Sequence, residues 1–284
     1  MQKKIVATKD MAGRKIEYIL SGDMALSGSI IKKLKMSNGI LLNGECVHVN
    51  KKITEGDELV LVFPSETRGT IMPENIPIEI LYEDEDILAV NKPPMMITHP
   101  VKGHYSNTLA NAVMFYLKVQ TAFHVITRLD KETSGVVLIA KNVIDAKALN
   151  EAMKKGEIQK EYIAVTEGVP KEKCGIIDAP IARAEGIRRA VSSEGKPAVT
   201  KYETKEQWES GALLHLTPLN GRTHQIRVHL AHMGTPIYGD WLYGGDNNGR
   251  VRLHCLKIGF RHPSKDENVI IEAPIPEDIT LLIK

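Results

Sequence analysis

Cysteine is scarce in this chain of 284 residues. Cys46, Cys174 and Cys255 are its three cysteines, far apart and without paired spacing. That argues against a disulfide framework and a thiolate metal site, and it suits a reducing cytoplasm. No apolar run approaches the ~20 residues that span a bilayer. The opening MQKKIVATKD lacks the apolar core of a secretory signal. Neither sign of charge dominates: 37 Lys and Arg against 35 Asp and Glu leave a formal net charge of +2. A polyanionic partner is not demanded by that balance, although clustered basic residues would suit one. Gly-x-Ser-x-Gly is missing, and GGDNNG comes late, without the strand–loop–helix context of a phosphate-cradling loop. There is no internal repeat and no low-complexity tract. What is present is ordinary globular material, 43% hydrophobic and 25% charged, enough for one large domain or two unequal ones.

The first part of the chain reads as a small α+β unit. Arg14 to Leu20 suits a short helix. Ser27 is placed to cap a second, with Ile30, Ile31 and Leu34 on one face and Lys32, Lys33 and Lys35 largely off it. Gly39 is placed to end that helix. Asn43-Gly44 between two apolar runs predicts a two-residue hairpin, and ELVLVF after Glu55-Gly56-Asp57 closes a small sheet. Residues 64–77, rich in proline and polar side chains, read as a linker.

From Ile78 the composition changes. Two apolar strands flank an acidic turn, Glu83 to Asp86, and Lys92-Pro93-Pro94 then forces an extended path. Ser106 or Asn107 is placed to cap a helix over 108–117, with Leu109, Val113, Tyr116 and Leu117 as its buried stripe. Asn142 caps a further helix that ends in lysines and Gly156. Strands are expected at 160–165, 212–219, 253–260 and 268–273. A hairpin is expected within 178–205, with its tip at 194–197. A helix runs from His224 to about Met233. Regular strand–helix alternation is lacking, so the second part is expected to be an α+β fold on a mixed or antiparallel sheet.

Chemistry concentrates in FHVITRLDKETSGVVLIAKN, residues 123–142, where a polar loop holding Arg128 and Asp130 runs into a strand at Val136–Ala140. Catalytic groups are often held on loops fixed by regular structure. Taken locally, Asp130 capping a turn or pairing with Arg128 accounts for the pattern equally well. The second candidate is THQIRVHLAHMG. Its His224, His229 and His232 lack the one-turn spacing and neighbouring carboxylate of a helical zinc site. Arg222 and Arg227 are better placed to act, since a guanidinium fork suits a carboxylate or phosphate. A hydrolase pairing Asp130 with an acidic residue of 83–86 is one competing reading, and a non-catalytic RNA-binding or ribosome-assembly protein is another. The hydrolase needs two carboxylates facing one bond.

TRLDKETSGVVLIAKN resembles the signature block of the RluA family of pseudouridine synthases. Thr127 stands where that family usually has His, while Arg128, Leu129, Asp130, Thr133, Ser134, Gly135, Ala140 and Lys141 match. Three more blocks match in order: ILYEDEDILAVNKPPMMITHP, KEYIAVTEG and LNGRTHQIRVHLAHMGTPIYGDWLYGG. The resemblance covers about Ile78 to Ala273. Residues 1–70, with their lysine-bearing helix pair, LLNGECVHVN and EGDELVLVF, resemble the small RNA-binding domain first described in a ribosomal small-subunit protein. The resemblance implies a pseudouridine synthase catalytic domain over 71–284, built on a mixed, mostly antiparallel sheet with flanking helices, after that RNA-binding unit.

It also implies roles. Asp130 is the catalytic aspartate, acting on the ribose of a uridine turned out of its stack. Tyr162 stacks on the base, and Arg227 pairs with Asp130. Arg128, Arg222, His224, Lys32, Lys33 and Lys35 face RNA, ribosomal or transfer. No cofactor or metal is required, and the family resemblance leans toward a monomer. The usual His in place of Thr127 implies a loop-supporting task.

Overall fold

Asn43 and Gly44 both adopt positive φ, 51° and 86°, which closes a two-residue turn of the kind that matches strand twist. Around it the first unit assembles, in a computed structural model that describes residues 2–24, 26–63, 71–118, 123–247 and 249–283. Of these, 2–63 with 118 and 142–144 cluster as one unit, and 71–117, 123–141 and 145–283 as another. The first half of the linker expected at 64–77, residues 64–70, lies outside the described residues.

The first unit holds strand β1 (Gln2–Val6), a single helical turn α1 (Ile16–Tyr18) continued as a wider turn to Asp23, and helix α2 (Gly28–Met36). Strands β2 (Ile40–Leu42), β3 (Glu45–Cys46) and β4 (Glu58–Val62) follow, and the sheet runs β1-β4-β2-β3. Ser27 caps α2 as expected, its Oγ accepting from Ile30 N at 3.4 Å. Ile31 and Leu34 are buried with Ile16, Ile19, Leu20, Ile40, Leu59 and Leu61, while Lys32, Lys33 and Lys35 are exposed. The residue that turns left-handed after α2 is Asn38, with φ 52°. Gly39 is needed for another reason: a Cβ there would collide with the carbonyl of Val62 on β4. The strand β1 went unread because five residues with two lysines carry little periodicity.

The second unit opens with β5 (Glu79–Glu83) and β6 (Ile87–Lys92), antiparallel around the acidic turn. Helix α3 (Leu109–Tyr116) is capped by Thr108 in a reciprocal box with Asn111. The expected caps at Ser106 and Asn107 are displaced because the box satisfies two amides at once. Its buried face comprises Leu109 through Met114, and Tyr116 is exposed, its hydroxyl donating to Glu83 at 2.7 Å. Next come β7 (His124–Val125), β8 (Ser134–Ala140), α4 (Val143–Lys155) and β9 (Gln159–Glu167). Then β10 (Cys174–Asp178), the small hairpin β11 (Ile181–Arg183) and β12 (Arg189–Val191), β13 (Val199–Trp208) and β14 (Gly211–Pro218). The hairpin tip therefore falls at 184–188 rather than 194–197. Last are α5 (Gln225–His232), β15 (Leu253–Arg261), β16 (Asn268–Glu272) and α6 (Glu277–Thr280).

The main sheet has the order β10-β13-β14-β9-β15-β8-β6-β5, with β16 on β15 and β7 on β8. Among the strand pairings of the described residues only β15–β8 is parallel, so this α+β fold has a mixed, mostly antiparallel sheet. Every residue of β8 is buried. Val136, Leu138, Tyr162, Ala164, Leu214 and Ile226 share the core with Leu109 and Val113. Gly135 permits the parallel contact: its φ is 111°, and a Cβ would run into the backbone of Cys255 on β15. Among the described residues, no helix is long and apolar enough to cross a membrane.

Candidate active site

Asp130 sits one turn before β8, and the loop that presents it is anchored from three sides. Thr127 Oγ1 accepts from Leu138 N of β8 at 2.9 Å. Thr98 Oγ1 donates to Leu129 O at 2.9 Å, with Leu129 itself buried. Lys92, at the end of β6 and fully buried, donates from Nζ to Pro93 O and Met96 O at 2.8 Å and to Lys131 O at 3.2 Å. Thr127 thus supports the loop in this chain. Burial pulls the Lys92 ammonium down to about 7, against the opposing pull of Asp130.

The side chain of Asp130 is 29% exposed, so its carboxylate is partly open to an incoming molecule. Two nitrogens stand 4.0 Å from its Oδ2: Arg227 Nη1 and His224 Nε2. Both come from α5 and its N-cap. Arg227 was expected to pair with Asp130; its strongest bond goes elsewhere. The fully buried Asp240 receives Nε and Nη2 in a two-pronged pair, both at 2.7 Å. Glu132 Oε2 lies 3.4 Å from Nη2. A planar fork can be locked by one carboxylate and still aim its remaining nitrogen at a second. Burial opposes the charge on Arg227, but the bond to Asp240 and the nearby carboxylates raise its pKa, so it stays a cation. The same burial raises the pKa of Glu132, with Arg227 pulling the other way.

His224 holds a left-handed conformation at φ 57°. For a residue with a Cβ that costs on the order of 1–3 kcal/mol, and such outliers gather at functional sites. Its ring is largely buried, Nδ1 lies 2.7 Å from the Tyr243 hydroxyl, and burial lowers its pKa. Its side chain is 13% exposed and its Nε2 faces Asp130. Tyr162, on β9, is 8% exposed and belongs to the main core. Burial, with Cys255 and Asp130 nearby, raises its pKa well above the ordinary phenol value. Cys255 itself is pushed up to about 12 by burial. Both remain protonated at neutral pH.

Arg128 is exposed beside this pocket. Arg222 is exposed too, its Nε donating to Pro197 O at 3.0 Å. His229 is buried between Thr200 Oγ1 and Ala179 O, a core residue. Of the acidic residues 83–86 that the hydrolase reading would draw on, Glu83 is bonded by Tyr116 and Lys141, and Asp84 by Tyr82, His262 and Lys265, with 2.8 Å contacts to the last two. The two carboxylates near Asp130, Glu132 and Asp240, both attend Arg227. None of the acidic residues 83–86 is among the carboxylates that gather around Arg227 beside Asp130. Sequence reasoning missed Asp240, Tyr243 and Lys92. The first two lie inside GTPIYGDWLYGG, within a block matched for other residues, and nothing in its spacing singles them out.

A half-open carboxylate flanked by a guanidinium and an imidazole, with a buried phenol nearby, can attack a sugar carbon or remove a proton from one. The comparisons give that capability a context. The family model of RNA pseudouridylate synthases matches residues 86–232. An uncharacterized RNA pseudouridine synthase of Bacillus subtilis, YjbO, is 37% identical over 273 residues, covering 93% of this chain and 96% of that protein. The ribosomal large subunit pseudouridine synthase D of Pasteurella multocida is 34% identical over 280 residues, 91% of this chain and 86% of its own length. Among solved structures, human RNA pseudouridylate synthase domain containing 1 superposes with a TM-score of 0.60 at 26% identity, covering 71% of this chain and 84% of that one. The fold, the ordered blocks and these relatives together make the chain a member of the RluA family of RNA pseudouridine synthases, an isomerase acting on RNA.

Proposed function

We propose that the chain converts specific uridines in structured ribosomal or transfer RNA to pseudouridine, with Asp130 acting at the ribose of an extruded nucleotide. The observation that carries the reading is the setting of Asp130: partly open, on a loop bonded to β6 and β8, with Arg227 fixed by Asp240 yet 4.0 Å from Oδ2. Asp130 either adds to carbon 1 of the sugar or takes the proton from carbon 2. The bond from that carbon 1 to N1 of uracil breaks, the base turns, and carbon 5 bonds to carbon 1 instead, displacing the Asp130 oxygen in the first route, or with Asp130 giving its proton back to carbon 2 in the second. The proton on carbon 5 is lost and N1 gains one, so the reaction is an isomerisation without net redox change.

Arg227, with Nη1 4.0 Å from Oδ2, orients Asp130. Tyr162 meets the base, and its protonated hydroxyl keeps that wall uncharged. Arg128 fills the gap or contacts phosphates when the base leaves its stack, since a stacked base hides its glycosidic bond. Arg222 lies along the same path, and His224 meets the nucleotide inside the pocket. Residues 1–70 form an RNA-binding unit that uses Lys32, Lys33 and Lys35, and 71–284 form the catalytic part. Several relatives bear the name of ribosomal large subunit synthases, which favours large-subunit ribosomal RNA over transfer RNA.

The test is tritium release from ribosomal and transfer RNA labelled at carbon 5 of uridine. Wild type is expected to release tritium and Asp130→Asn none. Equal release by the two would end the role of Asp130, and wild-type release from neither RNA would end the substrate assignment.

A further inference from the structure

His224 and Tyr243 form a second pair in the pocket, to which the resemblance gives no joint task. Tyr243 touches both groups that stand 4.0 Å from Asp130 Oδ2. Its hydroxyl lies 2.7 Å from His224 Nδ1, and its ring meets the imidazole edge to face at 5.6 Å between centroids. The Arg227 guanidinium carbon stands 5.2 Å over the same ring. The phenolic oxygen also accepts from Arg189 N, on β12, at 2.9 Å.

The hydrogen arrangement follows from charge. A phenol has one proton to donate, and Arg189 N–H already donates to its oxygen. If Nδ1–H of His224 also donated to Tyr243, a bare Nε2 lone pair would face the carboxylate oxygen of Asp130. If Tyr243 donates to Nδ1 instead, the imidazole proton sits on Nε2 and turns its positive end toward Asp130. The second arrangement is attractive where the first is repulsive. At 4.0 Å the contact with Asp130 is electrostatic. A movement of about 1 Å on substrate binding would make it a hydrogen bond, as contacts in unliganded sites commonly tighten.

We propose that Tyr243 fixes His224 in its Nε2–H tautomer, and that the two position Asp130 by holding Oδ2 between His224 and Arg227, which turns Oδ1 toward the sugar of the bound uridine. This rests on the reading of Asp130 given above. His224 and Tyr243 are positioning residues in it, acting through the carboxylate. The strained backbone of His224 has the same explanation: the left-handed N-cap sets its ring between Tyr243 and Asp130.

The experiment uses the full chain with tritiated RNA, ribosomal or transfer, on which wild type releases tritium. Tyr243→Phe is expected to slow single-turnover release by about ten- to a hundredfold, the scale of a misplaced reacting group, with RNA affinity little changed. His224→Gln, whose amide nitrogen reaches toward the Nε2 position, is expected to retain more activity than His224→Asn. In histidine labelled with nitrogen-15, His224 of wild type should show the Nε2–H tautomer and Tyr243→Phe should lose it. An Nδ1–H tautomer in wild type overturns the proposal. So does full-rate release by Tyr243→Phe, or a loss confined to RNA affinity, which would make Tyr243 a mere prop for the Arg189 strand. If Tyr243→Phe does not fold, the wild-type tautomer and the two His224 variants decide alone. Asp130→Asn in the same assay separates the two readings: normal release there removes the aspartate itself, whereas a dead Asp130→Asn beside a fully active Tyr243→Phe removes only the positioning pair.

Discussion

At the residue scale the pocket depends on side chains that never reach its opening. Asp240 is fully buried and takes both prongs of Arg227. Asp240→Asn leaves a buried guanidinium underpaired, so a stability loss of about 3 kcal/mol or more is expected by chemical denaturation. Turnover should fall as well, because Arg227 is then free to swing onto Asp130 or Glu132. Lys92 gives a pH dependence. Its folded pKa of about 7 lies below that of an unfolded lysine. Between roughly pH 7 and 10 the unfolded chain therefore holds a proton the folded chain has released, and stability contributed at this site rises with pH. Denaturation midpoints of wild type relative to Lys92→Met should improve from pH 7 to pH 9 by at most about 1.4 kcal/mol per pH unit. A flat difference would mean the ammonium stays charged among its three carbonyls.

At the scale of elements, the loop of Asp130 depends on β8. Gly135 is the tightest point, because only a residue without Cβ fits against Cys255 at φ 111°. Gly135→Ala is expected to cost more than about 2 kcal/mol and to reduce turnover by displacing the loop; an unchanged melting temperature would contradict it. Thr127→Ala removes the acceptor of a buried amide and should cost about 1–3 kcal/mol. The elements themselves were largely legible: Asn43-Gly44, Ser27 and the apolar run of β8 each carry a local signal that the structure obeys. The cap at Thr108 and the exposure of Tyr116 were not, because a reciprocal bond with Asn111 and a partner at Glu83 outweigh the simple helical stripe.

At the scale of the whole molecule, net charge is too small to hold RNA by itself, so basic residues have to act where they cluster. If Lys32, Lys33 and Lys35 contact phosphates, replacing all three by Ala should weaken RNA affinity and flatten its salt dependence by about 0.7–0.9 per lost contact. The single-turnover rate at saturating RNA should stay near wild type. An unchanged affinity and salt slope would remove these lysines from the interface.

The four ordered blocks, the Asn-Gly hairpin and the Arg128-Leu129-Asp130 loop were determined by the sequence alone, because each is a local pattern of size, charge and backbone freedom. They carried the family and the fold class, and they put Asp130 on a loop that leads into a strand. Which groups meet Asp130 was decided only by the tertiary structure. Residues 92, 130, 162, 224, 227, 240 and 243 converge through a sheet whose neighbours are distant in sequence. Arg227 reads in sequence as a partner for Asp130; in three dimensions a buried Asp240 outcompetes it for the guanidinium's two-pronged face. His224 reads as a group facing RNA, and a left-handed turn with a bond to Tyr243 points it inward. Those outcomes follow from burial and competing partners, quantities that have no local signature along the chain.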